Sequence, residues 1–237
     1  MLQKSIELKD KGIDIISLSV GEPDFNTPDH IKKAAIEAVE NNYSKYSPIP
    51  GYMWLREAIS VKLEKENNLH YPPTQIIVSN GAKQALCNAI MALVDNPAEE
   101  VLIPTPCWVS YPQMVILAGG TPVIIKAGLS QGFKVTAEQI EAAITPRTKA
   151  IMLCSPSNPT GAIYSKAELE AIATMLKKYP DIAVVSDEIY EHLNYVGAHE
   201  SIAQFPWMKE RTVVINGVSK AYAMTGWRIG FAAGPKD

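Results

Sequence analysis

The chain has 237 residues, 47% of them hydrophobic and 20% charged, which is enough to bury a full core at the upper size of one domain. Its 22 basic and 25 acidic residues leave a net charge of −3 spread along the chain, so there is no electrostatic reason to expect nucleic acid or an anionic membrane, and small molecules are the expected partners. No apolar run is signal-like or long enough to span a bilayer, and a cytoplasmic protein is expected.

Taken in chain order, residues 1–12 alternate charged and apolar side chains at helical spacing. Ile31 to Asn42 and Leu55 to Asn67 read as amphipathic helices joined by the turn-rich Tyr46-Ser47-Pro48-Ile49-Pro50-Gly51, which predicts an arm over the first 75 residues rather than a second sheet. From residue 76 onward, short runs rich in β-branched residues alternate with longer helix-period segments, the pattern of crossover-connected strands. The predicted strands are Ile76 to Ser79, Val101 to Pro104, Pro122 to Lys126, Ala150 to Cys154, Ile182 to Ser186, Thr212 to Asn216 and Ile229 to Ala233. Between them, Ala82 to Val94, Val109 to Ala118, Thr136 to Ile144 and Lys166 to Tyr179 carry apolar residues at three- and four-residue intervals, as helices covering both faces of a sheet must. The fold class is therefore α/β, a three-layer arrangement around a mostly parallel seven-stranded sheet with an N-terminal helical arm. Gly234-Pro235-Lys236-Asp237 follows a strand with no terminal element to cover it, and further chain is expected beyond it.

Cys87, Cys107 and Cys154 are odd in number and set among apolar neighbours, which predicts buried free thiols. His30, His70, His192 and His199 show no ligand spacing and read as surface or loop side chains, so no metal site is expected.

Four segments carry chemistry. In Ile76 to Gln84 a strand turns through a glycine into a helix, leaving free backbone N–H groups at a positive dipole end that suits phosphate; an ordinary helix start capped by Asn80 explains it equally well. In Ser155-Pro156-Ser157-Asn158-Pro159-Thr160-Gly161 two prolines bracket one Asn at the carboxyl edge of the sheet, where open α/β sheets bind ligands. In Val184 to Tyr190 a carboxylate, Asp187, ends an apolar strand and precedes Tyr190 by three residues; a buried carboxylate calls for a cationic partner, the plainer alternative being a cap for a following helix. In Val218 to Gly230, Lys220 sits among small and apolar residues that ease its deprotonation, with Arg228 eight positions on.

Asn158-Pro159-Thr160-Gly161, Asp187 to Tyr190 and Ser219-Lys220 to Arg228, in that order and preceded by Val20-Gly21-Glu22-Pro23-Asp24-Phe25, resemble the class I, fold type I aminotransferases, and within them the bacterial aspartate aminotransferase subgroup. The resemblance covers nearly the whole chain. It implies the cofactor pyridoxal 5′-phosphate, held as a Schiff base on Lys220, which then shuttles the proton between the substrate Cα and the cofactor's C4′. It implies that Asp187 pairs with the pyridine nitrogen, that Tyr190 and Asn158 hydrogen-bond the phenolic oxygen and that Trp108 stacks on the ring. Arg228, Ser219 and the Gly81-Ala82-Lys83 backbone match the phosphate pocket. Tyr46 matches a tyrosine that reaches the phosphate of a neighbouring subunit, which implies a homodimer with shared sites. Gly21, Lys83 and Asn158 match substrate contacts, Lys83 meeting a distal carboxylate.

The sequence departs from the pattern twice. Gly217 stands where many members have a serine three residues before the lysine, so that phosphate contact is either lost or made by backbone. No residue matches the arginine with which the family's C-terminal small domain binds the substrate α-carboxylate. The expected organisation is an arm, or part of a small domain, over 1–45 and a cofactor-binding large domain over 46–237. The implied activity is transamination between aspartate, or a similar amino acid, and a 2-oxo acid. The alternatives are a non-catalytic cofactor-binding fragment and a carbon–sulfur lyase of the same fold.

Overall fold

A computed structural model describes residues 2–16 and 21–236. Val20 of the N-terminal motif lies outside them.

Seven strands form one sheet: β1 (Ile76–Asn80), β2 (Glu100–Thr105), β3 (Thr121–Lys126), β4 (Thr148–Cys154), β5 (Ala183–Asp187), β6 (Thr212–Gly217) and β7 (Ile229–Ala233), in the order β1-β7-β6-β5-β4-β2-β3. The neighbours from β3 through β2, β4 and β5 to β6 are parallel, and β7 runs antiparallel to both β6 and β1. Chain length explains the reversal. Only residues 218–228 join β6 to β7, short of the dozen or so that a parallel crossover needs. All seven predicted strands form, with bounds within two residues of those expected.

Helices α1 (Leu2–Asp10), α2 (Asp29–Glu40) and α3 (Met53–Asn67) precede the sheet. Helices α4 (Ala82–Leu93), α5 (Ser110–Leu117), α6 (Ala137–Ala143), α7 (Lys166–Leu176) and the single turn α8 (Pro206–Lys209) lie within it in sequence. Helices α6 and α7 start at reciprocal capping boxes, Thr136 with Gln139 and Ser165 with Glu168, which satisfy N–H groups the first turn leaves open. One face of the sheet packs Val101, Ile103, Met152, Val185 and Ile215 against α4 and α5. The other packs Leu102, Ile151, Leu153 and Val184 against α6 and α7. Beside that second cluster, Val214, Phe231 and Ala233 pack against Ile59 and Leu63 of α3. Strands buried on both faces, such as Glu100 to Ile103, account for the near-continuous apolar runs of the sequence.

The structure corrects the extent of the arm. Helix α3 buries Arg56, Ile59, Leu63 and Asn67 and belongs to the body, whereas α2 buries no residue. The three cysteines are free, as expected, but only half-buried. His199 is no surface side chain: it is 9% exposed and bonded to Glu188.

Candidate active site

The carboxyl ends of β2, β4, β5 and β6 and the end of β1 open on one edge of the sheet, and the loops leaving them carry most of the expected site residues.

Asp187, the last residue of β5, shares its side of the strand with Val185 and so points toward α5. It is buried, and its side-chain partners are the Tyr111 hydroxyl, which donates to Oδ2 at 2.6 Å, and the Ile189 N–H, which donates to Oδ1 at 3.3 Å. No cation pairs with it among the described residues. Burial pushes its pKa up to about 6, against the pull of the Tyr111 and Ile189 hydrogen bonds, and the neighbouring charge of Glu188 adds to the rise. Residues 188–193 form a turn, so Asp187 caps no helix.

Tyr111 is a residue that sequence reasoning missed. It stands three positions after Trp108 at the start of α5, on the same side of the turn, and the two rings meet edge to face at 5.7 Å. That spacing was the available signal. Lys83, from the first turn of α4, places its ammonium 4.7 Å above the Trp108 ring.

From the β4 loop, Asn158 donates through Nδ2 to the Tyr190 hydroxyl at 3.2 Å. The Lys220 Nζ lies 5.7 Å over the Tyr190 ring and donates to the Gly21 carbonyl at 2.5 Å. Burial lowers the Lys220 pKa, opposed by the charge of Glu22 and assisted by that of Arg228. The Gly21 segment is tied down by two further contacts, Thr225 Oγ1 to Glu22 Oε1 at 2.9 Å and Thr27 Oγ1 to the Ala223 carbonyl at 2.7 Å.

At the sheet margin, Arg228 holds a left-handed backbone (φ 61°), and its guanidinium donates to the Thr225 carbonyl at 2.8 Å and reaches the Asn80 carbonyl at 3.5 Å. Gly81, with φ +79°, is the N-cap of α4; a Cβ there would lie 2.1 Å from Arg228 Nη2. Asn80 is therefore not the cap. A Cβ on Gly230 would meet the Ala82 nitrogen at 2.2 Å, so Gly81 leaves room for the guanidinium beside the start of α4 and Gly230 lets β7 pack against the same turn, whose first N–H groups have no partner within the helix. Ser219 is buried one residue before Lys220. Gly217 is fixed by packing: a Cβ would stand 2.7 Å from the Ile229 carbonyl, so a serine does not fit there without moving β7.

The structure thus gathers Gly21, Gly81, Ala82, Lys83, Trp108, Asn158, Asp187, Tyr190, Ser219, Lys220 and Arg228 on one edge. Tyr46 does not join them; its ring is fully exposed and makes no hydrogen bond or ring contact among the described residues.

A lysine amine over a tyrosine, a buried carboxylate and an anion-ready helix start on one α/β sheet edge define a class of cofactor enzyme, and the family match agrees. The chain belongs to the aminotransferase class I and II family, whose model matches residues 13–237 and whose members depend on pyridoxal 5′-phosphate. It is 53% identical over 236 residues to the aspartate/prephenate aminotransferase of Cereibacter sphaeroides, covering 99% of this chain and 59% of that relative. Among solved structures, the aspartate aminotransferase of Rhizobium meliloti superposes with a TM-score of 0.94 at 47% identity, covering 99% of this chain and 59% of that one. The aspartate aminotransferase of Thermus thermophilus with maleate gives a TM-score of 0.94 at 48% identity, covering 99% and 60%. The chain therefore spans about three fifths of the length of the relatives it matches.

Proposed function

We propose that this chain is the cofactor-binding core of an enzyme that moves amino groups between an acidic amino acid, aspartate or one like it, and a 2-oxo acid, with Lys220 carrying the cofactor. The observation that supports this most is Asp187: a buried carboxylate with no cation beside it among the described residues is the partner that a protonated pyridine ring requires. The glycine-lined approach of Arg228 to the start of α4 fits a phosphate in the same way, as a cradle that a side chain at 81 would fill.

When bound, pyridoxal phosphate supplies an electron sink for the charge left at the substrate Cα. Asp187 would keep the proton on the ring nitrogen. Asn158 and Tyr190, already bonded to each other, would hold the phenolic oxygen; Trp108 would cover the ring; and Ser219, Arg228 and the N–H groups from Gly81 to Lys83 would hold the phosphate. Lys220, its pKa lowered by burial, would serve as the base at the substrate Cα once the substrate amine had displaced it from the cofactor. Lys83 meets a distal carboxylate, a reading supported by maleate, a dicarboxylate, in the Thermus structure. Gly21 lies against the Lys220 amine, where a substrate carboxylate arrives.

We further propose that residues 46–237 form the cofactor-binding unit and 1–45 an arm, that the working protein is a cytoplasmic homodimer, and that Tyr46 reaches the phosphate of the second subunit. Its full exposure suits that role. Among the described residues no helix is long and apolar enough to cross a membrane. A second reading is cofactor binding without turnover, and an assay of transamination separates the two.

Incubation with pyridoxal phosphate, borohydride reduction and peptide mapping tests the assignment. Label is expected on Lys220, and label confined to another lysine refutes it.

A further inference from the structure

The turn that leaves β5 has two sides. Asp187 and Tyr190 line the candidate site, while Glu188 and Glu191, one residue on from each, are buried on the side of α3. Glu188 is 1% exposed and accepts hydrogen bonds from Ser186 Oγ at 2.8 Å and Ser201 Oγ at 2.6 Å, and its Oε2 lies 2.8 Å from His199 Nε2. Glu191 is paired with Lys62 and Asn67 of α3, and His192 Nδ1 stands 3.3 Å away. Ligand atoms of Glu188, Glu191 and His199 all lie within 4.8 Å of one another. Two carboxylates this close and this dry need positive charge, and the chain supplies it as His199 and Lys62. The titratable groups bearing on His199 are Glu188 and Glu191 on the turn and Lys62 on α3; Glu66 and His192 form a pair at the rim, 3.3 Å apart.

We propose that His199 is a positioning residue for the cofactor site: as imidazolium it holds Glu188, and with Lys62 also Glu191, behind the turn, and so fixes Asp187 and Tyr190 on its other side. This rests on the reading of Asp187 and Tyr190 given above. Position and charge act together. Only one peptide unit separates Asp187 from Glu188, so an uncompensated charge on Glu188 raises the proton affinity of Asp187, and the fraction of Asp187 that is protonated cannot pair with a cationic ring. Burial alone would lower the His199 pKa, but its bond to Glu188 and the charges of Glu188 and Glu191 carry it above the ordinary imidazole value. A basic group whose pKa is raised by folding adds stability that is complete below the unfolded value and is lost as pH rises through the folded one.

Two measurements on wild type, His199→Gln and the double variant Glu188→Gln/His199→Gln test the idea. In cofactor-free protein, melting temperature is followed from pH 6 to pH 9; the gap between wild type and His199→Gln is expected to be widest at pH 6 and to close toward pH 9. In a titration with pyridoxal phosphate at pH 7, His199→Gln is expected to bind roughly tenfold more weakly, the loss of about one charge-assisted hydrogen bond, and the double variant to recover most of the difference. If His199→Gln does not fold, Ser201→Ala, which removes one hydrogen bond to Glu188 and one from the Ala203 N–H, carries the cofactor-binding comparison alone at a smaller scale. A variant that melts lower but binds cofactor as wild type does, with no recovery in the double variant, shows a merely structural histidine and overturns the proposal, as does a gap that does not vary with pH. Misassignment of the cofactor lysine would appear separately, in the borohydride map, and would leave the pH-dependent melting gap intact.

Discussion

The sheet edge and the N-terminal arm are built by opposite rules. At the edge each polar group is held by another, whether buried as Asp187 is or exposed as Arg228 is: Asp187 by Tyr111, Tyr190 by Asn158, Arg228 by the Thr225 carbonyl. Along the arm, α2 buries nothing, and Ile36 and Val39 stand more than half exposed. Among the described residues the two regions meet through three hydrogen bonds, from Lys220, Thr225 and Thr27. The edge is therefore set by packing and electrostatics that a single atom can upset, while the apolar side chains of α2 are buried by none of the described residues.

The largest test of that contrast is Asp187→Asn. An amide cannot hold a proton on the pyridine nitrogen, and turnover in a form of the protein that transaminates is expected to fall by about a thousandfold, the scale of losing one preorganised electrostatic partner. The cofactor-free protein should change in the other direction. With its carboxyl pushed up to about 6, Asp187 is ionised and buried at neutral pH, a cost on the order of 3 kcal/mol. An acid whose pKa folding raises binds more protons folded than unfolded, so stability falls as pH rises from near 4 to about 6 and the full cost persists above. Asp187→Asn should remove that slope and raise the melting temperature at pH 7.5. A variant that melts lower there, with unchanged turnover, would show that burial of this charge has been misread.

Next in size is a matched pair of truncations, one in each region. Leu63 of α3 is fully buried, and Leu63→Ala is expected to cost about 2–5 kcal/mol in denaturant unfolding. Val39 of α2 is 78% exposed, and Val39→Ala should stay within about 0.5 kcal/mol. Equal losses would mean that α2 is part of the same core and that the contrast fails.

Tyr111→Phe probes the edge at the scale of one hydrogen bond. Its hydroxyl pulls the Asp187 pKa down, so the variant should carry the carboxyl higher still and bind pyridoxal phosphate about fivefold more weakly near pH 6, where ionisation is incomplete, with the deficit narrowing by pH 8. A deficit independent of pH would assign Tyr111 to packing against Trp108 instead.

How far the sequence discloses this arrangement differs between the same two regions. Short runs rich in β-branched residues and a 3.6-residue period make the seven strands and their covering helices legible, because every strand buries apolar residues and every long helix shows an apolar stripe. The site motifs are legible because Gly, Pro, Asn and Lys punctuate the strand ends at which ligands sit. Other features are hidden for physical reasons. Helix α3 reads as an exposed amphipathic helix until Ile59 and Leu63 meet Val214 and Phe231, partners more than 150 residues away in the chain. The reversed direction of β7 depends on the length of its connection rather than on its own composition. The spacing from Trp108 places Tyr111 beside the site, but no local pattern marks the carboxylates that Tyr111 and His199 bond, Asp187 and Glu188, which lie 76 and 11 residues away.

The smallest expected effect lies at the seam between the regions. Ala223 holds a left-handed backbone, φ 52°, in the loop between Lys220 and Arg228, and its carbonyl accepts the Thr27 hydrogen bond at 2.7 Å. For an alanine that conformation costs about 1–2 kcal/mol, whereas glycine adopts it freely. Glycine in turn gives the unfolded chain more freedom, a penalty of about 0.5–1 kcal/mol, so Ala223→Gly should stabilise the protein by somewhat under 1 kcal/mol. The carbonyl remains, and the bond to Thr27 should survive the change. Thr27→Val removes the donor at nearly constant volume and should cost about 1 kcal/mol. If the seam holds Gly21 against Lys220, Thr27→Val should also speed hydrogen exchange of the Glu22 and Asp24 amides, while Ala223→Gly leaves them as slow as in wild type. Exchange that is equally fast in wild type and both variants would mean that these three bonds do not order the arm, and that the edge stands without it.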